Sequence, residues 1–143
     1  MTDISRTDDI FYARTGMAPE RIVARVDTAL EGADDGELFL EYNQSESITF
    51  DDGRVRNANF DTSQGFGLRA VSGEATGYAH STEMSEAAIT RASDTVRAVR
   101  TGRGGTVGES PAGTNRDLYT DTNPLGEMAF EDKVALLAEI DAY

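Results

Sequence analysis

The stretch Gly65-Phe66-Gly67-Leu68-Arg69-Ala70-Val71-Ser72-Gly73-Glu74-Ala75-Thr76-Gly77-Tyr78-Ala79 decides the fold. Phe66, Leu68 and Ala70 alternate with Gly67 and Arg69, the period of two that marks a half-buried strand. Ser72-Gly73 between two such runs predicts a hairpin, because Gly73 accepts a positive φ that other residues resist. Glycines at 65, 67, 73 and 77 weaken a strand pair unless other backbone or a bulky group packs close to them. The hairpin is therefore expected at the centre of a sheet.

Upstream, Leu38, Leu40 and Tyr42 alternate with Glu37, Phe39 and Glu41 in a first strand. Ile48 and Phe50 mark a second, closed by a turn at Asp51-Asp52-Gly53. Val55 and Phe60 belong to a third, and their opposite parity predicts a bulge near Asn57 to Asn59. With the two arms of the central hairpin this makes a five-stranded antiparallel meander, whose second face carries Glu41, Arg54, Arg56 and Arg69. Pro19 suits a first helical position, and Ile22, Val23, Val26, Ala29 and Leu30 follow at helical spacing over about 19–31. Ser85 is the N-cap of a second helix over about 86–100, with Ile89, Ala92, Val96 and Val99 along one side. Phe130, Val134, Leu137 and Ile140 define a last helix that no glycine or proline closes, so the chain reads as cut while still helical.

The fold class expected is α+β, with helices packed on one face of the sheet. Residues 1–17 form a flexible N-terminal arm, 18–100 the α+β domain, and 101–128 a loop or linker. Residues 129–143 are a helix leading toward a missing C-terminal domain.

Composition narrows the function. A chain of 143 residues with 38% hydrophobic residues suits one core. No apolar run approaches the ~20 residues that span a bilayer, and Met1-Thr2-Asp3-Ile4-Ser5 has neither a basic start nor an apolar core. The net charge of −13 argues against direct nucleic-acid binding, which depends on neutralising phosphates. Without cysteine there is no disulfide and no thiolate ligand, which is compatible with a cytoplasmic protein.

Few residues carry chemistry. His80 is the sole histidine, and zinc takes three or four protein ligands, so it reads as an ordinary strand-end residue. The run Gly102-Arg103-Gly104-Gly105-Thr106-Val107-Gly108 follows a helix and opens none, unlike a phosphate loop. Asp8-Asp9, Asp34-Asp35 and Asp51-Asp52 fall at turns or in the tail, where solvated aspartates bond turn backbone. Neither a Gly-x-Ser-x-Gly elbow nor a serine–histidine–acid set is evident, so no catalytic and no metal-binding residue is assigned. Arg69, alternating with buried residues in a glycine-rich strand, is read first as one half of an intramolecular ion pair. The second option is a holder of a carboxylate or peptide carbonyl.

The stretch 65–79 resembles the N-terminal domain of the TldD/PmbA proteins, the "modulator of DNA gyrase" family of zinc metallopeptidases, and its TldD branch in particular. The similarity extends to Asp52-Gly53, the helix after His80, Leu118-Tyr119-Thr120 and Asn123-Pro124-Leu125. It covers the chain from about Ala18 onward. The resemblance implies a zinc ion held by a His-Glu-x-x-x-His helix and a cysteine in a later domain, and none of those positions exists here. It therefore implies a non-catalytic domain with no cofactor of its own. That domain would help wall a cavity in which unfolded or ribosomally made peptides are cut, and would face a PmbA-like subunit or a second copy. Arg69, Gly73, Gly77 and Tyr78 are the candidate substrate- or partner-facing residues. A free-standing interaction module and a small-molecule sensor remain the alternatives.

Overall fold

A computed structural model describes residues 7–98 and 123–143. The run 102–108, Leu118-Tyr119 and most of the expected linker lie outside them. The described elements are strands β1 (Asp35–Asp51), β2 (Arg54–Ser72) and β3 (Ala75–Ser81), and helices α1 (Pro19–Leu30), α2 (Glu86–Arg97) and α3 (Phe130–Asp141). The architecture is α+β, with an antiparallel arrangement at β2–β3 and strand order β1-β2-β3.

Three strands replace the five expected. Leu38–Tyr42 and Ile48–Phe50 belong to one strand of 17 residues, and Val55–Phe60 and Gly65–Ser72 to one of 19. Polar residues 43–47 do not interrupt β1, because exposed and half-buried positions alternate without a break from Asp35 to Asp51. The parity of Ile48 and Phe50 already matches that of Leu38, Leu40 and Tyr42, as one uninterrupted pleat requires. The parity argument for a bulge also loses its premise: every residue from Arg54 to Gln64 is exposed, so Val55 and Phe60 share no buried face.

The chain divides into two compact units, and β1 and β2 contribute to both. In the first, comprising residues 1–42 and 64–117, the core joins one sheet face to two helices. Phe66, Leu68 and Ala70 of β2 point inward beside Gly77 and Ala79 of β3, since Leu68 pairs with Ala79 and Ala70 with Gly77. Opposite them lie Ile22, Ala29 and Leu30 of α1 and Ala88, Ile89, Ala92 and Val96 of α2. Ile22, Leu68, Ile89 and Val96 are the largest fully buried side chains, each worth about 1.5–3 kcal/mol of transfer free energy. α2 packs on both β3 and α1. Small residues at Ala70, Gly77 and Ala79 leave room for its close approach.

Local chemistry fixes the ends of these helices. Pro19 occupies the first turn of α1, as expected. The Ser85 side chain accepts a hydrogen bond from the Ala88 N–H at 3.1 Å, the N-cap read from the sequence. Ahead of α1, Asp9–Ala13 form a π-helical turn in a segment whose sequence reads as irregular, and Phe11 and Tyr12 pack against the core.

The second unit comprises residues 43–63 and 118–143. Its hairpin turns at Asp52 and Gly53, with φ of 52° and 71°, the positive pair of a type I′ turn. The helix α3 is tied to this hairpin at two points. Lys133 Nζ donates to Glu46 Oε2 at 2.6 Å and to the Leu125 carbonyl at 3.0 Å. The Gly53 N–H donates to Asp141 Oδ2 at 2.9 Å. No residue of α3 is fully buried.

Candidate functional site

The outer face of the first unit's sheet, turned away from α1 and α2, gathers two of the four residues singled out from the sequence. Arg69 and Tyr78 are cross-strand partners there, beside the Gly67–His80 pair. β1 adds Asp35, Glu37, Phe39 and Glu41 on its exposed parity. Tyr78 and Phe39 are each 61% exposed, large aromatic surfaces left in water.

Arg69 is occupied within the chain. Its Nη2 donates to Asp35 Oδ2 at 2.6 Å and its Nε to Glu37 Oε1 at 3.1 Å, bridging β2 to β1. The bond to Asp35, then that to Glu37, holds the guanidinium above its already high ordinary value. Of the two roles considered, the ion pair is the one formed. Its carboxylate partners were invisible in the sequence because cross-strand register, not chain distance, brings them together.

Tyr78 fills the space a side chain at residue 67 would take: a Cβ there meets the phenol oxygen at 2.6 Å. The same ring stacks on His80 at 5.7 Å between centroids and 27° between planes. Gly67 thus admits a bulky group that shields the glycine-rich strand.

Gly73 belongs to the hairpin turn, which is centred on Gly73-Glu74, one residue later than Ser72-Gly73, since Ser72 pairs with Ala75. Its φ of 62° is that of the first central residue of a type II′ turn. Its N–H donates to Asp34 Oδ2 at 2.5 Å. Gly77 is buried on the helix-covered face opposite Ala70, away from Arg69 and Tyr78.

Two of the three aspartate pairs, Asp34-Asp35 and Asp51-Asp52, have structural partners. Asp34 holds Gly73 and Asp35 holds Arg69, while Asp51 Oδ2 accepts from Arg56 at 3.0 Å. Among the described residues no three His, Cys, Asp or Glu side chains converge as metal ligands.

One feature was missed from the sequence. A cleft of about 380 Å³ between α1 and α2 is lined by Arg21, Arg25, Glu86, Ser93, Asp94 and Arg97 with smaller neighbours. Both helices were read for their apolar sides alone. The available signal was the i, i+4 spacing of Arg21 and Arg25, which puts two cations on one helical face.

The sequence is similar to that of known proteins. Residues 36–101, from β1 through α2, match the family model described as PmbA/TldA metallopeptidase domain 1. The chain is 30% identical over 112 residues to a Metalloprotease TldD homolog of Haemophilus influenzae, covering 76% of this chain and 23% of that protein. It is 27% identical over 105 residues to the Metalloprotease TldD homolog of Buchnera aphidicola, covering 73% and 22% respectively. The chain carries an N-terminal domain of the TldD/PmbA family. It spans less than a quarter of the length of these curated relatives.

Proposed function

We propose that this chain is the non-catalytic N-terminal part of a cytoplasmic, TldD-like zinc metallopeptidase acting on unfolded or ribosomally made peptides. Its tasks are to help wall the substrate cavity and to meet a PmbA-like subunit or a second copy. The observation that carries this is the family match over residues 36–101. The metal and the hydrolytic groups then belong to a separate domain of the longer protein, and no step of the reaction is assigned to residues here.

A physical route for substrate contact starts at β3. It stands at one edge of the sheet, with no strand beyond it among the described residues. Its outward N–H and C=O groups suit the backbone of an extended peptide, whose side chains are then largely irrelevant to pairing. Such pairing accepts many sequences, as a peptidase for unfolded chains requires. Tyr78 and His80 flank this edge on the open face. The space between sheet and helices is filled by Ile22, Leu68, Ile89 and Val96, so the sensor alternative gains nothing from it.

The test compares this chain with a version extended to the relatives' length, each incubated with an unfolded peptide and zinc. Cleavage by the extended protein alone is expected. Cleavage by the 143-residue chain, abolished by a chelator, would overturn the proposal.

A further inference from the structure

We infer that the cleft between α1 and α2 binds an oxyanion, a carboxylate or phosphate group held between Arg25 and Arg97. This site is separate from the β3 edge and independent of the peptidase reading. The cleft, about 380 Å³ in volume, draws Arg21 and Arg25 from α1 and Arg97 from the last turn of α2. Arg21 is already satisfied: its Nη2 lies 2.8 Å from Glu86 Oε1, which also accepts the Ala18 N–H at 3.2 Å.

Arg25 and Arg97 differ from Arg21. Among the described residues neither forms an ion pair within 4.0 Å, although Arg21, Arg56, Arg69, Arg91 and Lys133 all do. Shortage of acids is not the reason, since the chain has 26 acidic and 13 basic side chains. Glu86 and Asp94 are the carboxylates that oppose an anion in the cleft; Glu86 pairs with Arg21, and Asp94 pairs with neither Arg25 nor Arg97 among the described residues. Two guanidinium groups that form no ion pair among the described residues line one recess, where an anion can bridge them. Their planar forks match carboxylate and phosphate oxygens.

Ser93 is a second, independent observation. It is 5% exposed, lines the same cleft, and its Oγ has no hydrogen-bond partner. Buried hydroxyls nearly always have one, so an unpaired example beside two arginines points to a missing acceptor. A bound oxyanion supplies it after a small opening of the helix pair.

The test is an NMR titration of the whole chain, following the arginine Nε–H signals and the Ser93 amide at constant ionic strength. The probes are inorganic phosphate, and an acetylated tripeptide with either a free carboxylate or a C-terminal amide. Saturable shifts at Arg25 and Arg97 are expected, with affinity falling by roughly tenfold or more in Arg25→Gln/Arg97→Gln. Binding of the free-acid peptide with its amide silent assigns the source to a chain end; binding of phosphate alone assigns it to a phosphate group. Shifts that merely track added sodium chloride, or undiminished affinity in a double variant that keeps the native Ala29 and Val96 methyl signals, would overturn the inference.

Discussion

At Gly67 and Gly36 the same missing methyl group has different consequences. A Cβ at Gly67 meets Tyr78 Oη at 2.6 Å and two ring carbons at 3.1 and 3.2 Å, all atoms of an exposed ring able to swing aside. A Cβ at Gly36 collides with Leu30 Cδ2 and lies 2.8 Å from the Arg69 carbonyl oxygen, which belongs to paired backbone. We expect Gly36→Ala to cost about 1–3 kcal/mol in urea unfolding, the usual range for overpacking. Gly67→Ala costs less than about 1 kcal/mol and is read instead by the His80 ring protons, which lose the stacked Tyr78. Neither neighbour was legible from the sequence. The glycines announced that something bulky or another backbone approaches, and only the folded chain says which.

Helices were the elements most readable in advance, because their signals are local. Pro19, Ser85 and the apolar spacings of 22–30 and 89–96 determine α1 and α2 without reference to distant residues. Strand number was not so readable. Asn43-Gln44-Ser45-Glu46-Ser47 lacks the residues that advertise a strand, yet pairing carries β1 through it, and propensity yields to that partner. The ion pairs of Arg69 depend on register and so lay beyond local inspection. At the start of α2, Ser85 Oγ donates to Glu83 Oε1 at 2.6 Å, and Arg91 Nη2 lies 2.6 Å from Glu83 Oε2. The Ser85 bond, then the Arg91 charge, holds Glu83 below its ordinary 4.5. A depressed carboxylate adds stability above the unfolded value, and that stability fades as pH falls through the lower folded one. Ser85→Ala is expected to cost about 1 kcal/mol at neutral pH. Glu83→Gln should shrink the loss of melting temperature on acidification below pH 4.5. In the second unit, the Lys133–Glu46 pair has side-chain exposures of only 20% and 16%. Lys133→Ala strands a shielded carboxylate and should cost about 1–3 kcal/mol, seen as faster amide exchange confined to α3 and its hairpin. Equal exchange rates in variant and parent would refute that.

For the molecule as a whole, charge and the margin of β3, which no strand covers among the described residues, have to be weighed together. With a net charge of −13, copies repel one another at neutral pH; near the isoelectric point of about 4.3 that repulsion vanishes. Light scattering of the chain should therefore rise on acidification toward that value, and replacing Thr76 by lysine at the strand edge should delay it. A strand edge able to receive any extended backbone has no means of refusing its own kind. If β3 receives peptide as proposed, fidelity would come from dosage and neighbours: whichever polypeptide reached the strand first, a client, a companion subunit or a twin, would exclude the others. Occupancy of seven residues would then be a form of traffic control.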